Sequence, residues 1–436
     1  MEIVSYNPGT ASAALDRITS RSLQTNAGLV ARVAEVIEGV RAGGDEALIH
    51  YTREFDGVSL QPGELRVDPD SIQRAARLAD SRTVEAFREA IRNIRAFHEH
   101  QRESSWEATT EYGATVGQRI LPIASAGLYV PGGRAAYPSS VAMNVVPAQV
   151  AGVRRIALAT PPGTLERAPA VAAVINELGI REVYRVGGAQ AIAAFAFGTE
   201  TVPRVDKIAG PGNVYVALAK KLVYGSVGVD SIAGPTEVVV LADETADARF
   251  VAADLLAQAE HDKEASAICV TTSANFAREV AREVWRQIRT LERREVAQAS
   301  IDTYGAIFVV DSLECGCELV NTIAPEHLEL MTADNERAAG MVENAGAIFF
   351  GPWSSEPVGD YLAGPNHVLP TATTARFSSP LGVYDFLKRQ SVIRYSRESI
   401  ERQADSIAAM ADAEGLTAHK RAVLIRLGDA NKVTPD

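Results

Sequence analysis

The sequence predicts an α/β protein with two Rossmann-like parallel-sheet domains, a helical N-terminal segment and a helical C-terminal tail. Three observations carry this expectation. From about Ile123, short β-branched runs alternate with Ala-rich helical stretches. The alternation comes in two successive series, as stacked βαβ units require. The flanking stretches keep a helical apolar period instead of the two-residue period of strands. At 436 residues and 47% hydrophobic content, the chain is long enough to bury more than one core.

In chain order, residues from about Leu15 to Arg102 read as helices. Val30, Val33, Ile37 and Val40 hold the 3.6-residue period, Gly43-Gly44 interrupts it, and Ile91, Ile94 and Phe97 resume it. The first βα series then runs through strands at 155–159, 182–186 and 207–208, with helices at 168–178, 189–197 and 213–224. A second series places strands at 237–241, 267–270, 306–310 and 347–350, separated by helices near 248–260, 274–290 and 313–322. From about Glu398 the tail reads as helix again with a break at Gly415, polar enough to pack on another surface.

Composition narrows the function. Lys and Arg total 43 against 55 for Asp and Glu, a net charge of −12, which repels phosphate backbones and anionic lipid alike. No nucleic-acid or membrane role is expected. Met1-Glu2-Ile3-Val4-Ser5 opens without a basic or apolar leader, and no stretch is apolar enough to span a bilayer, so the expectation is a cytoplasmic protein. Cys269, Cys315 and Cys317 are too few for a disulfide framework. The Cys315-Gly316-Cys317 spacing points two thiols apart on a helix and matches no zinc pattern. His98 and His100 likewise face different directions and are expected to be solvated.

The chemistry concentrates between Gln258 and His419, where four of the seven histidines sit in dense polar contexts. Gln258 and His261 lie three apart on a predicted helix and so share a face, available to a metal or to a hydrogen-bond network. In Ala324-Pro325-Glu326-His327-Leu328 the proline stops a helix and sets an acid beside a base on a rigid turn, a pair suited to proton transfer and water activation or to a helix cap. Asp360 and His367 fall in a Gly- and Pro-rich loop beginning at Pro357, and Glu414 and His419 bracket the Gly415 break. Ala-Gly-Pro recurs at 209–211, 233–235 and 363–365, as ligand-facing turns or strand-end punctuation. Oxygen and nitrogen donors without thiolate suit Zn²⁺ or Mn²⁺ at a Lewis-acid site. A strict G-x-G-x-x-G is absent, because Gly210-Pro211-Gly212-Asn213-Val214-Tyr215 lacks the last glycine, so spacing alone establishes no dinucleotide site.

Taken together, Gly127-Leu128-Tyr129-Val130-Pro131-Gly132-Gly133, Gly187-Gly188-Ala189-Gln190-Ala191, Gly210-Pro211-Gly212-Asn213, Gln258-Ala259-Glu260-His261, Ala324-Pro325-Glu326-His327-Leu328 and Gly364-Pro365-Asn366-His367 closely resemble the histidinol dehydrogenase family over nearly the whole chain. The resemblance implies oxidation of L-histidinol through the aldehyde to L-histidine, with two hydrides passed in turn to two NAD⁺. It implies zinc, with Mn²⁺ as the other candidate, held by Gln258, His261, Asp360 and His419 and orienting the substrate. His327 would be the general base of both oxidations and Glu326 the group that activates water for the second. Thr236, Gln258, His261, His327, Asp360, His367, Glu414 and His419 match substrate-binding positions, and Tyr129, Gln190 and Asn213 match the NAD site. Many relatives carry Ser where this chain has Thr236, which keeps the hydroxyl and adds a methyl group.

On this reading residues 1–24 are an N-terminal arm, and 25–123 with 236–380 form a discontinuous first domain holding the metal and catalytic residues. Residues 124–235 form a second domain on the NAD side. The tail, 381–436, packs on the partner of a homodimer, where Glu414 and His419 complete the other subunit's site. Two rivals stay open at this point: a zinc-dependent dehydrogenase of another small alcohol such as a sulfonated diol, and a zinc hydrolase using the same acid, base and metal. His367 and Glu414 favour histidinol over the first, and nicotinamide reduction separates the second.

Overall fold

Strand formation follows the β-branched runs. In the computed structural model, which describes residues 1–21, 27–132 and 137–428, the strands in chain order begin with β1 (Glu2–Ser5), β2 (Trp106–Thr109), β3 (Thr115–Pro122) and β4 (Ser125–Tyr129). Next come β5 (Arg155–Thr160), β6 (Glu182–Arg185), β7 (Lys207–Ala209), β8 (Gly228–Val229) and β9 (Glu237–Ala242). The last are β10 (Ser266–Thr271), β11 (Ala306–Val309), β12 (His327–Met331), β13 (Ala347–Phe350) and β14 (Leu387–Arg394).

These strands form two parallel sheets and one antiparallel sheet. The six-stranded sheet has the order β1-β11-β10-β9-β12-β13 and the five-stranded sheet the order β6-β5-β4-β7-β8, with every pairing in both parallel. Counted within its own βα series, each sheet reads 3-2-1-4-5, the doubly wound order in which the strand sequence reverses beside the first strand. The expected α/β class with two Rossmann-like layers holds. β9 illustrates why such strands lack polar alternation. Val238, Val240 and Ala242 enter the core on one face, and Val239 and Leu241 enter the core on the other. Each Val or Leu so enclosed contributes about 1.5–3 kcal/mol of burial.

The division of the chain differs from the expected one at three places. Helix Ala27–Asp56, kinked at Gly44 (φ 52°, ψ −135°) as the glycine pair predicts, buries Val33, Ile37, Val40 and Leu48 against Tyr184, Phe195 and Ile208. The helices of the N-terminal third thus complete the five-stranded layer, whereas residues 25–123 were expected with the six-stranded one. Second, β1 pairs with β11, and Leu15 and Ile18 join the same core, so the described part of the expected N-terminal arm packs as an edge of the six-stranded sheet. Third, two compact units emerge: Met1–Gln101 with Ile123–Phe386, and Arg102–Pro122 with Leu387–Asp436. In the second unit β2, β3 and β14 pair antiparallel and the helices Arg397–Ala413 and Thr417–Leu424 follow. The expected boundary at 24/25 and Gly133 lie outside the described residues. Among those described, no helix is long and apolar enough to cross a membrane.

Candidate active site

Two ends of two sheets supply the candidate residues. Thr236 and Glu237 stand where β9 begins, and Glu326 and His327 where β12 begins, so adjacent parallel strands present them side by side at their amino ends. The expected turn at Glu326-His327 is therefore the mouth of a central strand. Pro325 ends the preceding connection as predicted, and Ala324 takes the left-handed cap of helix Leu313–Ile323 (φ 49°). His-Leu-Glu-Leu-Met then alternates with its polar members buried as well, which hides the strand from pattern reading.

Helix Ala248–Ala259 carries Gln258 in its last turn and hands on to His261. Helix Glu356–Tyr361 carries Asp360, where a loop was expected; Glu356 and Asp360 are four apart and share a face. His261, Glu356 and Asp360 offer ligand atoms that all lie within 4.8 Å of one another, a limit a little wider than the roughly 4 Å that two bonds near 2 Å to one ion span. His261 Nε2 is 3.9 Å from Glu356 Oε1, and His367 Nδ1 is 3.7 Å from Asp360 Oδ1. Two orientations of the Gln258 amide fit the polar atoms around it: in one the nitrogen donates to the Thr236 hydroxyl (2.6 Å) and the oxygen meets the Glu356 carboxyl, and in the other, which satisfies both ends, the nitrogen donates to Glu356 Oε2 and Oε1 (2.7 and 3.0 Å) and the oxygen accepts from the Thr236 hydroxyl (2.6 Å). Glu356, absent from the residues named by sequence, is thus the centre of the cluster. The loop reading began one residue after it, and its signal was the i, i+4 spacing to Asp360.

Glu326 is buried, with Oε2 bonded to Thr236 Oγ1 (2.5 Å) and accepting from the Glu237 N–H (3.0 Å). Burial is the main cause that pushes its carboxyl up to about 8, and the Asp360 carboxylate adds to the rise. The single Thr236 hydroxyl proton cannot serve Gln258 and Glu326 together. When it goes to Gln258, the carboxyl proton of Glu326 completes the chain. Burial lowers the pKa of His327, His261 and His367, which leaves neutral imidazoles at pH 7. His327 Nδ1 lies 3.2 Å from the Glu237 carbonyl and 3.7 Å from Glu326 Oε2. A carbonyl neighbour makes Nδ1 the protonated nitrogen and leaves Nε2 as the base. Behind Glu237, Arg21 forms a buried ion pair with its carboxylate (2.5 Å), whose other oxygen accepts from the Ala372 N–H.

On the five-stranded sheet, Tyr129 ends β4 and its hydroxyl accepts from the Gly188 N–H (3.1 Å) at the start of helix Gly188–Phe197. Gln190 in that helix is buried, with Nε2 3.5 Å from Asp56 and Oε1 without a partner. Asn213 caps helix Val214–Val223, its Oδ1 accepting from the N–H groups of Tyr215 and Val216. Gly210, at φ 116°, passes so near the Tyr129 carbonyl that a Cβ would lie 2.2 Å from it, and this close approach sets the 210–213 turn against β4. Tyr129, Gln190, Asn213 and His261 line one cleft of about 1240 Å³, together with Arg167 and Lys263. Through His261 the imidazole and carboxylate cluster therefore reaches this cleft.

Glu414 and His419 belong to the second unit and are exposed there, Glu414 at the end of helix Arg397–Ala413 and His419 within helix Thr417–Leu424. His98, expected to be solvated, is buried. Its Nδ1 is 2.7 Å from the Ile94 carbonyl, and Nε2 faces Asn366, whose amide also donates to the Met143 carbonyl (2.7 Å). The neighbour of His367 is thereby tied to two helices. Cys315 and Cys317 remain free thiols on a helix, as read.

A profile of the histidinol dehydrogenase family matches residues 19–427. Histidinol dehydrogenase of Halalkalibacterium halodurans is 53% identical over 430 residues, 98% of this chain and 100% of the relative. That of Geobacillus kaustophilus is 56% identical over 396 residues, 91% of this chain and 93% of the relative. The crystal structure of histidinol dehydrogenase from Elizabethkingia anophelis superposes with a TM-score of 0.92 at 37% identity, covering 99% of each chain. The chain belongs to the histidinol dehydrogenase family, the oxidoreductases of L-histidine biosynthesis.

Proposed function

We propose that the chain oxidises L-histidinol through L-histidinaldehyde to L-histidine with two NAD⁺ and one zinc ion, and that Mn²⁺ is the alternative metal. The observation that carries this reading is that His261, which belongs to the imidazole and carboxylate cluster, also lines the cleft of Tyr129, Gln190 and Asn213. A metal held by that cluster and a dinucleotide held in that cleft would be neighbours. The donors fit the metal: imidazole nitrogen and carboxylate and amide oxygen, among buried carboxylates short of cations. The cleft fits a dinucleotide, because Gly188, at the N-terminus of helix Gly188–Phe197, and Gln190 line it.

On this reading Gln258, His261 and Asp360 hold the ion, with His419 as the fourth ligand. The bound metal would supply Lewis acidity and orient the substrate nitrogens. NAD⁺ would supply the hydride acceptor beside Tyr129, Gln190 and Asn213. His327, neutral at pH 7, takes the hydroxyl proton of the alcohol and later that of the hydrated aldehyde at Nε2. Glu326, in its carboxylate form, takes a proton from the water that hydrates the aldehyde. Thr236 and His367 contact the substrate. Glu414 and His419, exposed on the tail, act in the partner subunit of a homodimer, so that the six-stranded sheet is the catalytic domain and the five-stranded sheet the NAD domain. The reaction is assigned to the cytoplasm.

Nicotinamide absorbance tests the reading. With zinc, L-histidinol and NAD⁺ the expected result is NADH formation; its absence at saturating concentrations would overturn the proposal, and hydrolysis of an amide without NADH would favour the zinc hydrolase.

A further inference from the structure

Behind three polar residues of the candidate site on the six-stranded sheet lies a second acid. Asp254 is one helical turn before Gln258, Glu356 one turn before Asp360, and Glu329 two residues beyond His327 on the same face of β12. The three deeper acids meet. The side chains of Asp254 and Glu329 share a hydrogen bond, and Glu329 Oε1 accepts from the Glu356 N–H (2.9 Å). The Ser355 side chain caps nothing, so Glu329 caps helix Glu356–Tyr361 in its place. All three acids are buried.

Glu356 is the member of this tier that reaches the ligands. Both of its carboxylate oxygens face the Gln258 amide, at 2.7 and 3.0 Å from the nitrogen in the orientation that satisfies both ends of the amide. A primary amide offers two atoms of similar size and opposite polarity, and only the oxygen binds a cation. The reverse orientation, with the nitrogen donating to the Thr236 hydroxyl, would press the amide oxygen against two carboxylate oxygens once Glu356 is ionised. With the nitrogen held, one lone pair of the oxygen takes the Thr236 hydroxyl and the other is left for an ion.

We propose that Glu356 is a positioning residue of the metal site: it fixes the orientation of the Gln258 amide so that the oxygen, and not the nitrogen, is presented to the cation. This rests on the reading of Gln258 as a metal ligand. Partners that orient a metal ligand from behind typically carry 10–100-fold in metal affinity.

The test measures zinc affinity of the full-length protein by chelator competition, with zinc itself as the probe, in native protein, Glu356→Ala, Gln258→Ala and the double variant. Glu356→Ala is expected to bind zinc roughly 10–100-fold more weakly. The double variant is expected to bind no more weakly than Gln258→Ala alone, because Glu356 acts through the amide. Unchanged affinity in Glu356→Ala overturns the proposal, as do losses that multiply in the double variant, which would make Glu356 an independent ligand. Native protein without tight zinc binding, or Gln258→Ala with native affinity, would instead overturn the underlying reading. Should Glu356→Ala fail to fold, Glu356→Gln carries the test, since it keeps one acceptor oxygen. It is expected to lose less than about tenfold and to give the native visible spectrum with Co²⁺; a Co²⁺ spectrum matching that of Gln258→Ala would contradict the assignment.

Discussion

The two parallel sheets share one strand order and place their candidate residues at opposite ends. On the five-stranded sheet Tyr129 closes β4, and the turns at Gly187–Gly188 and Gly210–Asn213 follow β6 and β7, so its cleft lies at the carboxyl ends beside the reversal of strand order, where doubly wound sheets bind ligands. On the six-stranded sheet Thr236, Glu237, Glu326 and His327 lie at the amino ends of β9 and β12. The charges differ in the same way. The five-stranded side neutralises its buried ions in pairs: Lys220 pairs with Asp230 and donates to the Gly210 carbonyl, while Asp230 accepts from the Gly210 N–H. The six-stranded side crowds Asp254, Glu326, Glu329, Glu356 and Asp360 together, and each of the first four has its pKa raised, chiefly by burial. Paired buried charges hold a turn in place; unpaired ones are tolerated where they do chemistry.

Substitutions on each side should separate those two purposes. The largest effect is expected from His327→Asn, which removes the base of both oxidations: turnover with L-histidinol and with L-histidinaldehyde falls by about 10²–10⁴-fold at unchanged zinc content. Loss of zinc in that variant would remove the distinction between base and ligand. On the other sheet, Lys220→Met leaves Asp230 buried without its cation and should cost about 3–5 kcal/mol in denaturant unfolding. The same turnover per folded molecule is expected, and a turnover defect without a stability loss would break the comparison.

Glu326→Gln refines the catalytic side. It should slow the aldehyde half by roughly 10²-fold and leave the alcohol half much less affected, and equal losses with both substrates would contradict a water-activating role. The smallest effect concerns pH. The Glu326 carboxyl lies at about 8 in the folded metal-free chain against 4.5 for the free group, and Glu329 and Glu356 are raised as well. The folded state therefore binds more protons than the unfolded state above pH 4.5, and stability falls as pH rises through 8. Thermal unfolding of metal-free protein should occur at a lower temperature at pH 9 than at pH 6; a higher one would contradict the burial that raises these carboxyls.

Much of this was legible in the sequence, for identifiable reasons. Strands such as β5, β9 and β10 are apolar β-branched runs, and the Gly44 kink and the Gly415 break are glycines in the left-handed region (φ 52° and 70°). β2 and β14 were not legible, because they are mostly exposed and Leu387–Arg394 mixes charged with apolar residues without alternation. In the site, Gln258, His261, Glu326, His327, Asp360 and His367 stood out as polar groups in special contexts. Glu356 did not, because one acid before a proline looks like any helix start; its partners come from a different helix and strand. His98 failed for the same reason, its burial being set by Asn366, far along the chain.

A two-step oxidation by one histidine base and one water-activating carboxylate has a countable yield, the number of NADH molecules formed per L-histidinol consumed at completion. Two are expected, with L-histidine as the product; a yield of one, with the aldehyde accumulating in native protein, would overturn the two-step reading.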